Sequence, residues 1–188
     1  MTHYFWPPVL NPGDTIGLVQ PSGIISPERY ADAQTKIQSL GYKIYKLPEA
    51  PRNWGYLGGT DEARIAELHH MYAQPEVRAI WCVRGGYGTQ RILPMLDLDL
   101  IRRNPKALIG FSDITALGNY ISQQTGQISF HGIMGVSQFS PYEKQSFQQA
   151  VGSNHNELII RPLAQHTLET EAAYQPHTIT AGSAQGRR

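Results

Sequence analysis

Cysteine is nearly absent from this 188-residue chain, and its single thiol, Cys82, can close no internal disulfide and build no multi-thiolate metal site. Long hydrophobic runs are missing too. The longest, Ala79-Ile80-Trp81-Cys82-Val83, falls far short of the roughly twenty residues that a membrane-spanning helix needs, and it places Cys82 in a core. Nor does one sign of charge dominate: 16 Lys and Arg against 15 Asp and Glu leave a net charge of +1, spread along the whole sequence. No basic face of the kind that neutralises phosphates results, which argues against nucleic acid as a partner. Met1 to Leu10 has no Lys or Arg ahead of an apolar stretch and no small-residue cleavage site, so it does not read as a signal peptide, and a cytoplasmic location follows by default. There is no internal repeat and no low-complexity segment; 18 Gly and 13 Pro mark many sharp turns. The histidines supply no metal motif. His69 and His70 are adjacent on a helix, point in different directions and lack an H-E-x-x-H setting, which predicts surface residues, and His155, His166 and His177 have no periodicity.

What is present is an alternation of short strands and amphipathic helices. Thr15–Val19 is an apolar run between turns, and a helix follows with Ser26 as cap, Pro27 at its first position, Tyr30, Ala33, Ile37 and Leu40 on one face, and Gly41 after it. Lys43–Leu47 reads as a second strand. The loop from Pro48 to Gly59 has Trp54, Tyr56 and Leu57 either to tuck away or to present. Thr60 and Asp61 open a helix with Ile65, Leu68 and Tyr72 on one face, stopping near Pro75. Val77–Val83 suits the middle of a parallel sheet covered on both sides. A short helical stretch, a strand at Ala107–Phe111, a helix through Ile114, Leu117, Tyr120 and Ile121 closed by Gly126, and a strand at Ile128–Phe130 follow. The expected fold class is α/β, a mainly parallel sheet with helices on both faces. A capping box at Ser140-Pro141-Tyr142-Glu143 starts one more helix, to about Val151. Glu157–Arg161 and Thr178–Ala181 then read as strands with no helix between them. The expected division is a domain over 1–152 and, over 153–188, a linker and the start of an incomplete β-rich C-terminal domain.

Ligands of open parallel sheets bind at the carboxyl ends of the strands, which directs attention to Pro21-Ser22-Gly23, the Trp54 loop, Arg84–Thr89 and Phe111-Ser112-Asp113. Gly110-Phe111-Ser112-Asp113 sets a serine on the turn from strand to helix, where a nucleophile elbow holds its side chain out of the sheet beside a backbone N–H. The same local pattern is that of a serine capping a helix, and the full G-x-S-x-G fails at Ile114. In Arg84-Gly85-Gly86-Tyr87-Gly88 the glycines let backbone N–H groups approach a phosphate or a developing oxyanion. A dinucleotide site is disfavoured, because Arg91 stands where the third glycine belongs and there is no Walker lysine. His131 beside Gly132, at a strand end, reads as a wall of the same cleft or as a base for Ser112, the wall being preferred. Arg84 and Ser22 are further wall candidates.

Read in order, these residues resemble the LD-carboxypeptidase family, the muramoyl-tetrapeptide carboxypeptidases, whose relatives include the microcin C immunity peptidases. The matching segments are Pro12-Gly13-Asp14, Pro21-Ser22-Gly23, Tyr56-Leu57-Gly58-Gly59-Thr60-Asp61, Arg84-Gly85-Gly86-Tyr87-Gly88, Pro105-Lys106, Gly110-Phe111-Ser112-Asp113-Ile114-Thr115-Ala116-Leu117 and His131-Gly132. The resemblance implies a serine peptidase with a Ser-His-Glu triad and Ser112 as nucleophile, its oxyanion held by the N–H of Asp113 and one from Gly85-Gly86. It implies release of the terminal D-alanine from a murein tetrapeptide in the cytoplasm, without metal or cofactor, by a homodimer. In the family the triad Glu and His come from a C-terminal domain that follows a segment like Thr178–Gly186, so neither is assigned to a residue of this chain, and the 188 residues alone are expected to be inactive. Two other readings stand beside this one: a non-catalytic α/β module that binds a small ligand or peptide, and an inactive remnant.

Overall fold

Five apolar runs become strands in the computed structural model, which describes residues 4–152: β1 Thr15–Val19, β2 Lys43–Tyr45, β3 Val77–Cys82, β4 Ala107–Gly110 and β5 Phe130–His131. All pair in parallel, in the order β2-β1-β3-β4-β5. The helices α1 Pro27–Gln38, α2 Asp61–Ala73, α3 Thr89–Ile92, α4 Leu98–Arg103, α5 Ile114–Thr125 and α6 Pro141–Val151 connect and cover them. The expected α/β sheet with helices on both faces is therefore what forms.

Alternation along the strands sorts the core into two layers. Ile16, Leu18, Ala79, Trp81, Val83, Ala107 and Ile109 pack on Tyr30, Ala33 and Ile37 of α1 and on Phe147 and Val151 of α6. Val19, Ile80, Cys82 and Leu108 face α2 and α5 through Leu68, Met71, Leu117 and Ile121. Covering both faces is what makes the strands continuously apolar. Trp81 is the largest fully buried side chain: its indole lies 4.4 Å from the Phe147 ring and 5.8 Å from that of Phe139, and its N–H donates to the Ile133 carbonyl at 2.7 Å.

Local signals set the helix ends. Ser26 accepts from Arg29 N–H, Thr60 from Ala63 N–H, and Ser140 with Glu143 forms the full capping box. Two expectations need correction. The strand expected at Ile128–Phe130 forms only from Phe130, because the stretch before it pairs with the N-terminal segment, Phe5 N–H donating to Gly126 O at 2.9 Å and Ile128 N–H to Phe5 O at 3.0 Å. His69 and His70 are half-buried ties, not surface residues: His70 stacks on Tyr45 and lies 2.9 Å from its hydroxyl, while His69 Nε2 accepts from Asp97 N–H at 2.9 Å. Lys106, buried at the start of β4, donates to Met71 O at 2.8 Å and to Gln74 O, carbonyls at the end of α2, and burial pushes its ammonium pKa down to about 8. The strands expected at Glu157–Arg161 and Thr178–Ala181 lie outside the described residues. Among the described residues, no helix is long and apolar enough to cross a membrane.

Replacing Trp81 by alanine removes the contact between β3 and α6 and should destabilise the fold by about 3–5 kcal/mol. Urea denaturation followed by circular dichroism measures it, and a loss below about 1 kcal/mol would show that the aromatic stack is not a main support of this layer.

Candidate active site

Strand order places β2 and β3 on opposite sides of β1, so the connections leaving β1 and β3 part at a topological switch point, where open α/β sheets bind ligands. The loop after β4 joins them. Its central residue, Ser112, is exposed and has φ +62°, the left-handed region that costs a non-glycine residue about 1–2 kcal/mol. The alternative that Ser112 caps the helix does not hold: Asp113 is the N-cap residue of α5, and the Ser112 hydroxyl makes no hydrogen bond among the described residues. The hydroxyl stands at a strained strand-to-helix turn, which is the backbone habit of a nucleophile elbow.

Gly85 faces this turn directly. A Cβ there would stand 3.1 Å from Ser112 Cβ, 3.3 Å from Phe111 O and 3.4 Å from Asp113 N, so any other residue would push against the turn. Gly86 has φ +133°, and its hypothetical Cβ would meet Gly23, not Ser112. The Gly85 carbonyl is held by Gly23 N–H at 3.2 Å and Arg84 Nε at 2.9 Å. Because a trans peptide sets C=O and N–H antiparallel, the Gly86 N–H is turned to the side away from those donors. Arg84 also donates to Ile24 O at 2.7 Å, which makes its guanidinium a brace between loops. Ser22, expected as a cleft wall, is fully buried behind the wall with its hydroxyl 2.6 Å from Asp113 Oδ2. His131 is exposed; its Nδ1 lies 3.3 Å from Thr115 Oγ1 and its ring 6.0 Å from that of Phe111. With Thr115, Asn119 and Ser129 it lines a hollow of about 100 Å³ between α5 and β5. In the Trp54 loop, Leu57 tucks in at 2% exposure while Trp54 and Tyr56 are presented at 54% and 60%, and the Tyr56 and Tyr87 rings lie 6.1 Å apart. No group of three or more His, Cys, Asp or Glu suited to a metal ion occurs among the described residues.

Residues 16–132 match the profile of the LD-carboxypeptidase N-terminal domain. The chain belongs to the LD-carboxypeptidase family. It is 41% identical over 149 residues to the probable murein peptide carboxypeptidase of Bacillus subtilis (strain 168), covering 76% of this chain and 46% of that protein. With the murein tetrapeptide carboxypeptidase of Pseudomonas aeruginosa it shares 30% over 191 residues, 94% of this chain and 60% of the relative. The solved structure of an MccF-like protein from Bacillus anthracis str. Ames superposes with a TM-score of 0.74 at 32% identity, covering 79% of this chain and 47% of that one. The chain thus spans about half the length of the relatives it matches.

In this LD-carboxypeptidase domain the loops rest on a polar scaffold that the sequence reading missed. Arg64 and Glu67 of α2 have fully buried side chains. Arg64 donates to Pro21 O at 2.5 Å and Gly88 O at 2.9 Å, joining the loops after β1 and β3, and pairs with Asp61. Glu67 accepts from Gln20 N–H at 2.8 Å and from Arg52 at 2.7 Å, and burial pushes its carboxyl above the ordinary range against the pull of Arg52. Gln20 in turn holds Arg52 at both ends of its backbone, donating to its carbonyl at 2.9 Å and accepting from its N–H at 3.1 Å. The available signal was the three-residue spacing Asp61, Arg64, Glu67 alongside the apolar stripe, which sets charges where the helix meets the sheet.

Arg91, then Arg64, holds the Asp61 carboxyl below the ordinary range. A depressed carboxylate contributes stability that is fully present above its unfolded value, near pH 3.9, and is lost as pH falls through the folded one. Asp61→Asn should therefore be less stable than wild type at pH 6, with the gap closing as the pH drops to about 2.5. Urea titrations across that range check it, and a pH-independent gap would exclude the ion pairs as its source.

Proposed function

We propose that this chain is the nucleophile-bearing part of a serine carboxypeptidase that releases the terminal D-alanine from murein tetrapeptide, with Ser112 as the nucleophile. The observation that carries the reading is the exposed, left-handed Ser112 standing at the end of β4 against a glycine that leaves it room. Ser112 Oγ attacks the carbonyl carbon of the L,D peptide bond, and its proton passes to a base. The Asp113 N–H and the Gly86 N–H hold the oxyanion. As the tetrahedral intermediate collapses, the C–N bond breaks and the amine of D-alanine takes the proton; water then cleaves the acyl-enzyme ester and regenerates the hydroxyl.

The base comes from outside the described residues. His131 engages Thr115 and serves as a wall of the site, while the resemblance implies a His and a Glu in the remaining length that the relatives possess and this chain does not span. The domain boundary at 152/153 separates the nucleophile from that part. The name of the Pseudomonas relative supports murein tetrapeptide as the substrate. The enzyme works in the cytoplasm as a homodimer, without cofactor or metal.

In the whole protein, Ser112→Ala should lower D-alanine release from murein tetrapeptide by about a thousandfold or more while shifting stability by less than about 0.5 kcal/mol. Near-normal release, quantified by chromatography of free D-alanine, would remove Ser112 from the mechanism. Gly85→Val, which drives a side chain at the elbow, should reduce kcat at least about tenfold. Unchanged kinetics would dissociate that loop from the reaction.

A further inference from the structure

Asp113 occupies the N-cap of α5, where an aspartate ordinarily accepts from an N–H of its own first turn. Its side chain makes no such bond. Oδ2 instead accepts from two donors on other loops, Ser22 Oγ–H at 2.6 Å and Thr89 N–H at 3.0 Å, and Thr89 returns its hydroxyl to the Asp113 carbonyl at 2.6 Å. Ser22 and Thr89 are both fully buried, so these bonds exclude water as a competitor. Residue 113 is therefore gripped at its carboxylate and at its carbonyl, immediately after the one left-handed residue of the turn. Such a conformation persists only where its surroundings over-determine it.

We infer that the Asp113 carboxylate is a positioning group: it clamps the loops after β1 and β3 onto the elbow, holding Ser112 in its left-handed conformation and fixing its separation from Gly85 and Gly86. The inference rests on the reading of Ser112 as nucleophile and adds the device that aligns it. The glycine loop has two anchors. Arg84 ties one end to Ile24 and Gly85 carbonyls, and Thr89 ties the other to Asp113. Releasing Asp113 frees the elbow side of the Gly85–Ser112 approach while Gly23 and Arg84 still hold the Gly85 carbonyl, so the loss falls on kcat and not on KM. An ionised carboxylate only accepts, which suits two donors converging on one oxygen. Asparagine keeps most of this, because its amide oxygen, standing where Oδ2 stands, accepts from both Ser22 Oγ–H and Thr89 N–H. Alanine keeps none of it.

The test compares Asp113→Ala, Asp113→Asn, Ser22→Ala and Ser112→Ala in the whole protein, by steady-state release of D-alanine from murein tetrapeptide, thermal melting, and amide hydrogen exchange at Thr89. Asp113→Ala should lose about 100-fold in kcat with KM within about twofold, Ser22→Ala should fall between it and wild type, and Asp113→Asn should recover most of the loss. Thr89 exchange should quicken at least about tenfold in Asp113→Ala and stay near wild type in Asp113→Asn. An unchanged kcat in Asp113→Ala, or an Asp113→Asn as slow as it, overturns the inference. If Asp113→Ala does not fold, Ser22→Ala decides: full kcat in that folded variant overturns the clamp. Full turnover by Ser112→Ala defeats the nucleophile reading instead, and the clamp is then judged by Thr89 exchange alone, unchanged protection in Asp113→Ala overturning it.

Discussion

Arg64 has no exposed side-chain surface, yet its guanidinium ends on two loop carbonyls and a carboxylate. Burying a cation this way is tolerable only when most of its donors meet acceptors. Its Nε has no partner among the described residues, so the remaining bonds weigh the more and the loops that follow β1 and β3 must stay where those acceptors are needed. The dependence runs in both directions. A parallel sheet covered on both faces leaves irregular backbone to gather at its ends, the carboxyl edge among them, and that backbone carries polar groups that must be satisfied. One helix answers both requirements. The charged residues of α2 sit at the edge where it passes the strand ends, and its apolar residues, Leu68, Met71 and Tyr72, bind it to the sheet.

From this frame the geometry around Ser112 follows by successive constraint. Arg64 fixes Pro21 and Gly88, Arg84 fixes Ile24 and Gly85, and Asp113 takes Ser22 and Thr89. Each loop is tied to at least one other through a side chain that gives up solvent to do so. The large apolar side chains that these loops leave exposed are Trp54, Tyr56, Tyr87 and Phe111. The strained turn is thus carried by rigid neighbours, as preorganised sites require.

Much of the fold was legible in the sequence because its signals are local. Ser26-Pro27, Thr60 and Ser140-x-x-Glu143 mark helix starts by hydrogen bonds that reach only three residues, and apolar runs such as Val77–Cys82 mark strands by composition. Ser112 was visible for a similar reason, since a strand, a turn and a helix are contiguous around it. The tethering of residues far apart was not. Ser22 read as a wall because nothing in its neighbourhood reveals a partner ninety-one positions away. His69 and His70 read as surface because the elements that bury them, β2 and the start of α4, arrive from elsewhere. Edge pairing failed likewise: whether 126–128 joins β4 or the N-terminal segment depends on Phe5, which no pattern near Ile128 can announce.

The bond between Ser22 and Asp113 closes a span of ninety-one residues, far more than any local element covers. Contacts of such separation cost more chain-closure entropy than local ones. The left-handed torsion of Ser112 is thus supported by a contact that no short stretch of the chain can supply by itself. A partly folded chain in which that contact is open would hold Ser112 without this support.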